Sequence, residues 1–208
     1  MDKPRTVVDG AFRILHALPD AGDSRQVTHL SEITGLPRPT VYRLLGQLRE
    51  AGAVTFTDRR WQLATGLVGL ARRVEPHAGL RRPAADVLRV LRQQTGATVS
   101  LVVSSGDDPV VLEIVPGQEA MPADARPGFV LPSFTAAGIV LQPARLTSPA
   151  GVAVDHRDIW DGLSCYAVPI KLPGGHAALQ IATASQRAES FAGVMHHAAV
   201  ALSRHVIG

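Results

Sequence analysis

Along residues 27–48 the apolar positions fall into two short helical stripes separated by a corner. Val27, Leu30 and Ile33 recur at helical spacing, and Val41, Leu44, Leu45 and Leu48 mark one face of a second helix. Between them stands Thr34-Gly35-Leu36-Pro37. Gly35 lets the first helix end in left-handed backbone, and Pro39 suits the first turn of the next. Two helices joined this closely form a helix-turn-helix, whose second helix typically enters the DNA major groove. With its apolar stripe turned inward, Arg38, Pro39, Thr40, Tyr42, Arg43 and Gln47 are left mostly outside. Arg reads guanine edges or holds phosphate, Thr does either, and Tyr reaches a phosphate or a thymine methyl. On this pattern alone, a helical hairpin with a solvated face is an equal alternative.

The flanking pattern decides between them. Residues 8–18 predict a first helix with Val8, Ala11, Phe12, Leu15 and Leu18 as its apolar stripe, and Ser24 or Gln26 opens the next. Gly52 ends the recognition helix. Residues 53–57 and 61–63 then alternate around the turn Asp58-Arg59-Arg60, which predicts a β-hairpin with Val54, Phe56, Trp61 and Leu63 inward. A helix-turn-helix followed at once by a hairpin is a winged helix, with Arg59 and Arg60 at the wing tip, placed for phosphate or minor groove. Residues 65–74 continue as a short helix that Pro76 to Gly79 breaks.

Residues 80–95 predict an amphipathic helix with Leu80, Val87, Leu88 and Leu91 on one stripe. From residue 97 the period changes. Residues 98–103 and 110–115 read as strands around Gly106-Asp107-Asp108-Pro109, 129–131 as a short strand and 133–141 as a helix rich in small residues. Residues 163–172 and 177–183 read as strands joined by Pro173-Gly174-Gly175. A closing helix over 186–207 carries Phe191, Val194, Met195, Ala198, Leu202 and Val206. Strand pairs framed by helices predict an α+β domain with a largely antiparallel sheet. The expected organisation is a winged helix-turn-helix over 1–64, a linker helix over 65–78 and a second domain over 79–208.

Composition narrows the function classes. Of 208 residues, 46% are hydrophobic and 19% charged, which excludes a disordered chain. Residues 1–75 hold 11 Lys and Arg against 8 Asp and Glu, whereas 76–208 hold 10 of each, so the excess positive charge sits with the helix-turn-helix. No apolar run reaches the length of a membrane span, Met1 to Arg5 opens no signal peptide, and the single Cys165 suits a reducing cytoplasm. No Gly-x-Ser-x-Gly elbow, P-loop, dinucleotide fingerprint or His-Glu-x-x-His motif is present, so neither an enzyme nor a cofactor is expected. A Cys165–His156 or Cys165–His176 couple has no support in spacing. Cys165 on an apolar strand is by default a small buried hydrophobe, and Asp155 by default a solvated loop carboxylate. His196-His197 reads as one surface and one core position, not a metal site.

Taken together, the chain resembles the IclR family of bacterial transcription regulators. The residues that carry the resemblance are Asp9 to Leu15, Leu30 to Leu45, Trp61 to Leu67, Gly128 to Gly138, Gly151 to Asp155 and Gly162 to Pro169. It implies a GAF-like effector domain behind the winged helix, dimers or tetramers, double-stranded operator DNA as partner, and control by a small organic effector. Carried over position by position, the pocket comprises Leu131, Thr135, Ala136, Ala137, Gly138, Asp155, Leu163, Cys165, Gln180 and Ala182. The chain departs from the family pattern at Gly10 and Ile139. Between the pocket helix and the Asp155 segment, only Pro143 to Ala150 remains where a few dozen residues would be expected. Two other readings stay open: a ligand-independent regulator whose second domain only oligomerises or binds a protein, and a small enzyme with a winged-helix adaptor.

Overall fold

The computed structural model describes residues 6–22, 25–77, 79–119, 125–142, 144, 148, 150–156, 162–173, 175–184 and 187–207. Ser24, Gly174 and Gln186, expected in a helix start, a turn and a helix start, lie outside them. The chain divides into two compact units, Met1–Val74 and Glu75–Gly208.

In the first unit, α1 (Val7–Ala17) is capped by Thr6, whose Oγ1 accepts from the Asp9 N–H at 3.1 Å. It buries Gly10, Ile14 and Ala17. The expected stripe is therefore rotated: Val8 and Phe12 are 64% and 59% exposed. Gly10 explains the rotation, since a Cβ there would stand 3.0 Å from Leu44 Cδ1. The helix packs closest where it has no side chain.

Next come α2 (Gln26–Thr34) and α3 (Arg38–Glu50). Gly35, at φ 66°, ends α2. Side chains then satisfy the corner: Thr34 Oγ1 donates to Leu30 O at 2.5 Å and accepts from the Leu36 N–H, while Ser31 Oγ donates to Leu36 O at 2.6 Å. Leu30, Val41, Leu44 and Leu45 form the core with Ile14, but Ile33 points outward.

The hairpin of β1 (Val54–Thr57) and β2 (Arg60–Leu63) pairs Phe56 with Trp61 and Thr57 with Arg60. Its turn is only Asp58-Arg59, both at positive φ (54° and 62°), the signature of a two-residue type I′ turn. Arg60 is thus the first residue of β2, not part of the tip. Phe56 and Leu63, expected inside, are exposed. A two-stranded ribbon has only three small helices to pack on, and of its apolar residues only Val54 is fully buried in their core. Phe56 packs instead on Trp61, with ring centroids 4.9 Å apart. The short helix α4 (Gly66–Ala71) buries no residue.

The second unit is a five-stranded antiparallel sheet in the order β4-β3-β7-β6-β5. Its strands are β3 (Thr98–Ser105), β4 (Asp108–Val115), β5 (Ala153–His156), β6 (Ser164–Leu172) and β7 (Gly175–Thr183). Strand β4 starts earlier than expected, so Gly106-Asp107 alone make the turn. Residues 129–131 form only an isolated bridge, Val110 to Val130.

One face of the sheet carries α5 (Arg81–Thr95) and α7 (Ala192–Ile207), with Leu88, Leu101, Ile170, Leu179, Met195 and Leu202 between them. Expected as one helix from residue 186, the C-terminal segment is a 3-10 turn at Ala188–Phe191 followed by α7, and Val194 faces out. The opposite face carries α6 (Ala136–Val140), shorter than expected because Thr135 caps it through Oγ1, which accepts from the Gly138 N–H at 3.0 Å.

Gly138 has no room for a side chain: a Cβ there would lie 2.7 Å from Ser133 O and 2.9 Å from Pro132 O. Gly138→Ala is expected to destabilise the second unit by about 1–3 kcal/mol. Gly69→Ala, where a Cβ meets nothing within 4 Å, is neutral or stabilising by up to about 1 kcal/mol. Urea unfolding followed by circular dichroism checks both; equal midpoints would contradict the close packing at Gly138.

Candidate functional site

A helix of 13 residues with one buried stripe has a free opposite side, and α3 presents Arg38, Pro39, Tyr42, Arg43 and Gln47 there, all exposed, with Thr40 half-buried. Arg38 and Tyr42 stand one turn apart, as do Arg43 and Gln47, so the set forms two adjacent rows along one face. The wing adds Arg59 at its exposed tip; Arg60 is half-buried at the start of β2. An arginine in left-handed backbone costs about 1–2 kcal/mol, so the tip places its cation at the expense of hairpin stability.

One residue that fixes this arrangement was expected only to open a helix, with no signal of its long-range tie. Gln26, the first residue of α2, is 7% exposed. Its Nε2 donates to Trp61 O, and its Oε1 accepts from the Trp61 N–H, both at 2.8 Å. One carboxamide therefore satisfies both backbone groups of a residue 35 positions away and ties the wing to α2. The groove beside it, about 300 Å³, is lined by Arg25, Thr28, Tyr42, Phe56 and Arg59. Side chains from α3, the wing and the entry to α2 thus share one surface.

In the second unit, the carried-over pocket residues come together. Thr98, Ala182, Cys165 and Asp155 lie in one row across β3, β7, β6 and β5, and Ser100, Gln180, Ala167 and Ala153 in the next. Helix α6 docks on this face, where the Ala137 N–H donates to Gln180 Oε1 at 3.0 Å. Leu131, Ala136, Ala137, Leu163, Cys165 and Ala182 share one buried cluster, with Thr135, Gly138, Gln180 and Asp155 buried as well. Asp155 is 3% exposed on β5, contrary to a solvated loop carboxylate. Cys165 is buried as expected. Burial first, and then the neighbouring Asp155, push its thiol from the usual 9.0 up to about 12.

His196 and His197 are both exposed on α7, so neither is a core position. Among the described residues no cluster of three His, Cys, Asp or Glu could hold a metal ion. Nor is any helix among them long and apolar enough to cross a membrane.

Gln26→Ala leaves the Trp61 backbone unpaired in a partly buried position. It is expected to cost the first unit about 1–3 kcal/mol and to raise amide exchange at Trp61. Unchanged exchange there would mean that the wing is held by other contacts.

Comparison with known proteins agrees with these features. Residues 7–58 match the IclR helix-turn-helix domain. The probable transcriptional regulator SauR of Cupriavidus necator is 32% identical over 134 residues, covering 63% of this chain; the match spans about half of SauR itself (53%). The HTH-type transcriptional regulator XynR of Escherichia coli is 25% identical over 240 residues, covering 95% of each chain. The crystal structure of an IclR homolog from Microbacterium hydrocarbonoxydans, complexed with 4-hydroxybenzoate, superposes with a TM-score of 0.79 at 19% identity, covering 97% of this chain and 99% of that one. Residues 7–58 thus carry an IclR helix-turn-helix domain, and the chain as a whole shares the two-domain α+β fold of the Microbacterium IclR homolog.

Proposed function

We propose that the protein is a sequence-specific DNA-binding transcription regulator that acts in the cytoplasm as a homo-oligomer. The observation that carries this reading is the exposed row of Arg38, Tyr42, Arg43 and Gln47 on α3, continued by Arg59 on the wing. In this reading α3 lies in the major groove. Arg43 and Gln47 reach base edges, Arg38, Thr40 and Tyr42 divide between bases and backbone, and Arg59 and Arg60 hold phosphate or minor groove.

Exposed apolar surface supports the oligomer. Helix α4 buries nothing, Leu70 is 66% exposed, and Val68, Val8 and Phe12 are exposed on the same unit. A second copy covering these residues gives two winged helices related by a two-fold axis, reading half-sites about 34 Å apart or a multiple of that.

The effector side rests on the small-residue face under α6, where Gln180, Asp155 and Cys165 supply polar groups among alanines. The Microbacterium relative that holds 4-hydroxybenzoate supports a small organic ligand on this domain. A ligand bound there acts by shifting the population of winged-helix arrangements within the oligomer.

Enzymatic chemistry has weak support. The nearest approach to a hydrolytic triad is Ser164, His156 and Glu189: His156 Nδ1 lies 3.1 Å from Ser164 Oγ, and its Nε2 2.7 Å from Glu189 Oε1. Yet Ser164 sits within a regular strand, and its Oγ accepts from the Ala188 N–H at 3.0 Å. That is a stitch between β6 and the 3-10 turn at Ala188–Phe191 that follows β7.

Arg43→Ala is expected to weaken binding to a retained promoter fragment by about 1–3 kcal/mol while scarcely changing binding to random-sequence duplex, measured by fluorescence anisotropy. Equal losses on both would reassign Arg43 to phosphate. The Cys165 thiol stays protonated through pH 9, because a raised thiol pKa favours the neutral form below it. Iodoacetamide at pH 8 should therefore label Cys165 slowly in the native protein and rapidly in urea. Fast native labelling would revive a reactive cysteine.

A further inference from the structure

Between the edge of β6 and α7 lies an open groove of about 580 Å³ within the second unit. Val168, Pro169, Ala199 and Val200 form its apolar floor and wall, and Ala150 closes one end. The groove exists because β5 is short. Strand β7 pairs with β6 along all of Ser164–Leu172, but β5 covers β6 only from Ser164 to Ala167. Beyond Ala167 the edge of β6 lies beside α7, where the Lys171 N–H reaches Ser203.

That edge is unsuited to an added strand. Positions two apart on a strand share a direction, so Pro169 occupies the same edge-facing position as Lys171 and has no N–H to offer. The Lys171 N–H is already taken: it donates to Ser203 Oγ at 3.1 Å, and Ser203 Oγ in turn donates to Ala199 O at 2.9 Å. A guest in the groove must therefore bind through side chains.

Those side chains are of one sign. The Lys171–Ser203 hydrogen bond brings Lys171 beside the last turns of α7, which carry Arg204, and both line the groove. His196 lines it one stretch earlier on the same helix, and no acidic residue does among the described ones. Neither Lys171 nor Arg204 has an ion-pair partner among the described residues. An apolar cleft of this size with a few convergent polar groups is the usual form of a small-molecule site. Two unneutralised cations beside an apolar wall select an anion with an apolar body.

We propose that this groove binds a small monocarboxylate with an aliphatic or aromatic body, as a second ligand site at the edge of β6 beside α7. The apolar body lies along Val168, Pro169 and Val200, and the carboxylate meets Lys171 and Arg204. The proposal is independent of where the family-type effector binds.

The test is isothermal titration of the full-length protein with octanoate, benzoate and the uncharged octanamide. At least one of the two acids should bind saturably, and octanamide at least about tenfold more weakly than octanoate. Val200→Asp puts a negative charge into the groove from a position already 49% exposed, so it should fold normally and abolish binding. Lys171→Gln with Arg204→Gln should weaken the acid about tenfold, and Ala182→Val, on the α6 face, should leave it unchanged. Loss of binding in Ala182→Val but not in Val200→Asp would overturn the proposal while leaving the α6-side effector reading intact. So would equal affinity for octanoate and octanamide, or no saturable binding by either acid. A lower oligomeric state of Val200→Asp in sedimentation, with no acid binding by the parent protein, would likewise overturn it and make the groove a contact between copies.

Discussion

A short helix can bury only one stripe, and in the first unit that constraint decides everything functional. Leu30, Val41, Leu44 and Leu45 must share one small core with Ile14. Once they do, the arginines and Tyr42 of α3 have nowhere to go but outward. Ser31 and Thr34 satisfy the backbone of the corner that makes this geometry possible, and Gln26 holds the wing in line with it. Three polar side chains thus position the exposed face of α3 and the wing, to which they contribute no charge.

The second unit solves a different problem with one sheet. Its α5 and α7 face is filled by large aliphatic side chains, whereas the α6 face carries mostly alanine, serine, threonine, cysteine and glutamine, with Val102, Val111 and Asp155 beside them. Small residues let α6 approach closely enough for Gln180 to reach the Ala137 N–H, and Gly138 leaves room for the Pro132–Ser133 backbone that leads into the helix. The same compactness buries Asp155 beside Cys165 and raises the thiol pKa. The short β5 leaves part of the β6 edge to α7, and among the described residues no acidic side chain lines the groove beside Lys171 and Arg204.

Much of this was legible in the sequence because periodicity reports burial. Val41, Leu44 and Leu45 announced the inner face of α3, and the apolar runs at residues 98–103 and 163–172 announced strands. Periodicity failed where packing depended on what a residue lacks. Gly10 turned α1 so that Val8 and Phe12 faced out, and the two-stranded wing had too little to pack against to bury Phe56 and Leu63. Asp155 looked solvated because strand pairing with Cys165 is a long-range fact. The long-range tie of Gln26 was invisible for the same reason, since its partner Trp61 lies 35 residues away and no local pattern links them.

The central claim, that the outer face of α3 reads DNA within a two-fold assembly, is tested most directly by selecting random duplex DNA with the purified full-length protein and sequencing what is retained at physiological salt. The account predicts a palindrome whose half-sites are separated by about one helical turn, roughly 34 Å, or a multiple of it. Retention of no motif, with binding that disappears as salt is raised, would leave only phosphate electrostatics and contradict it.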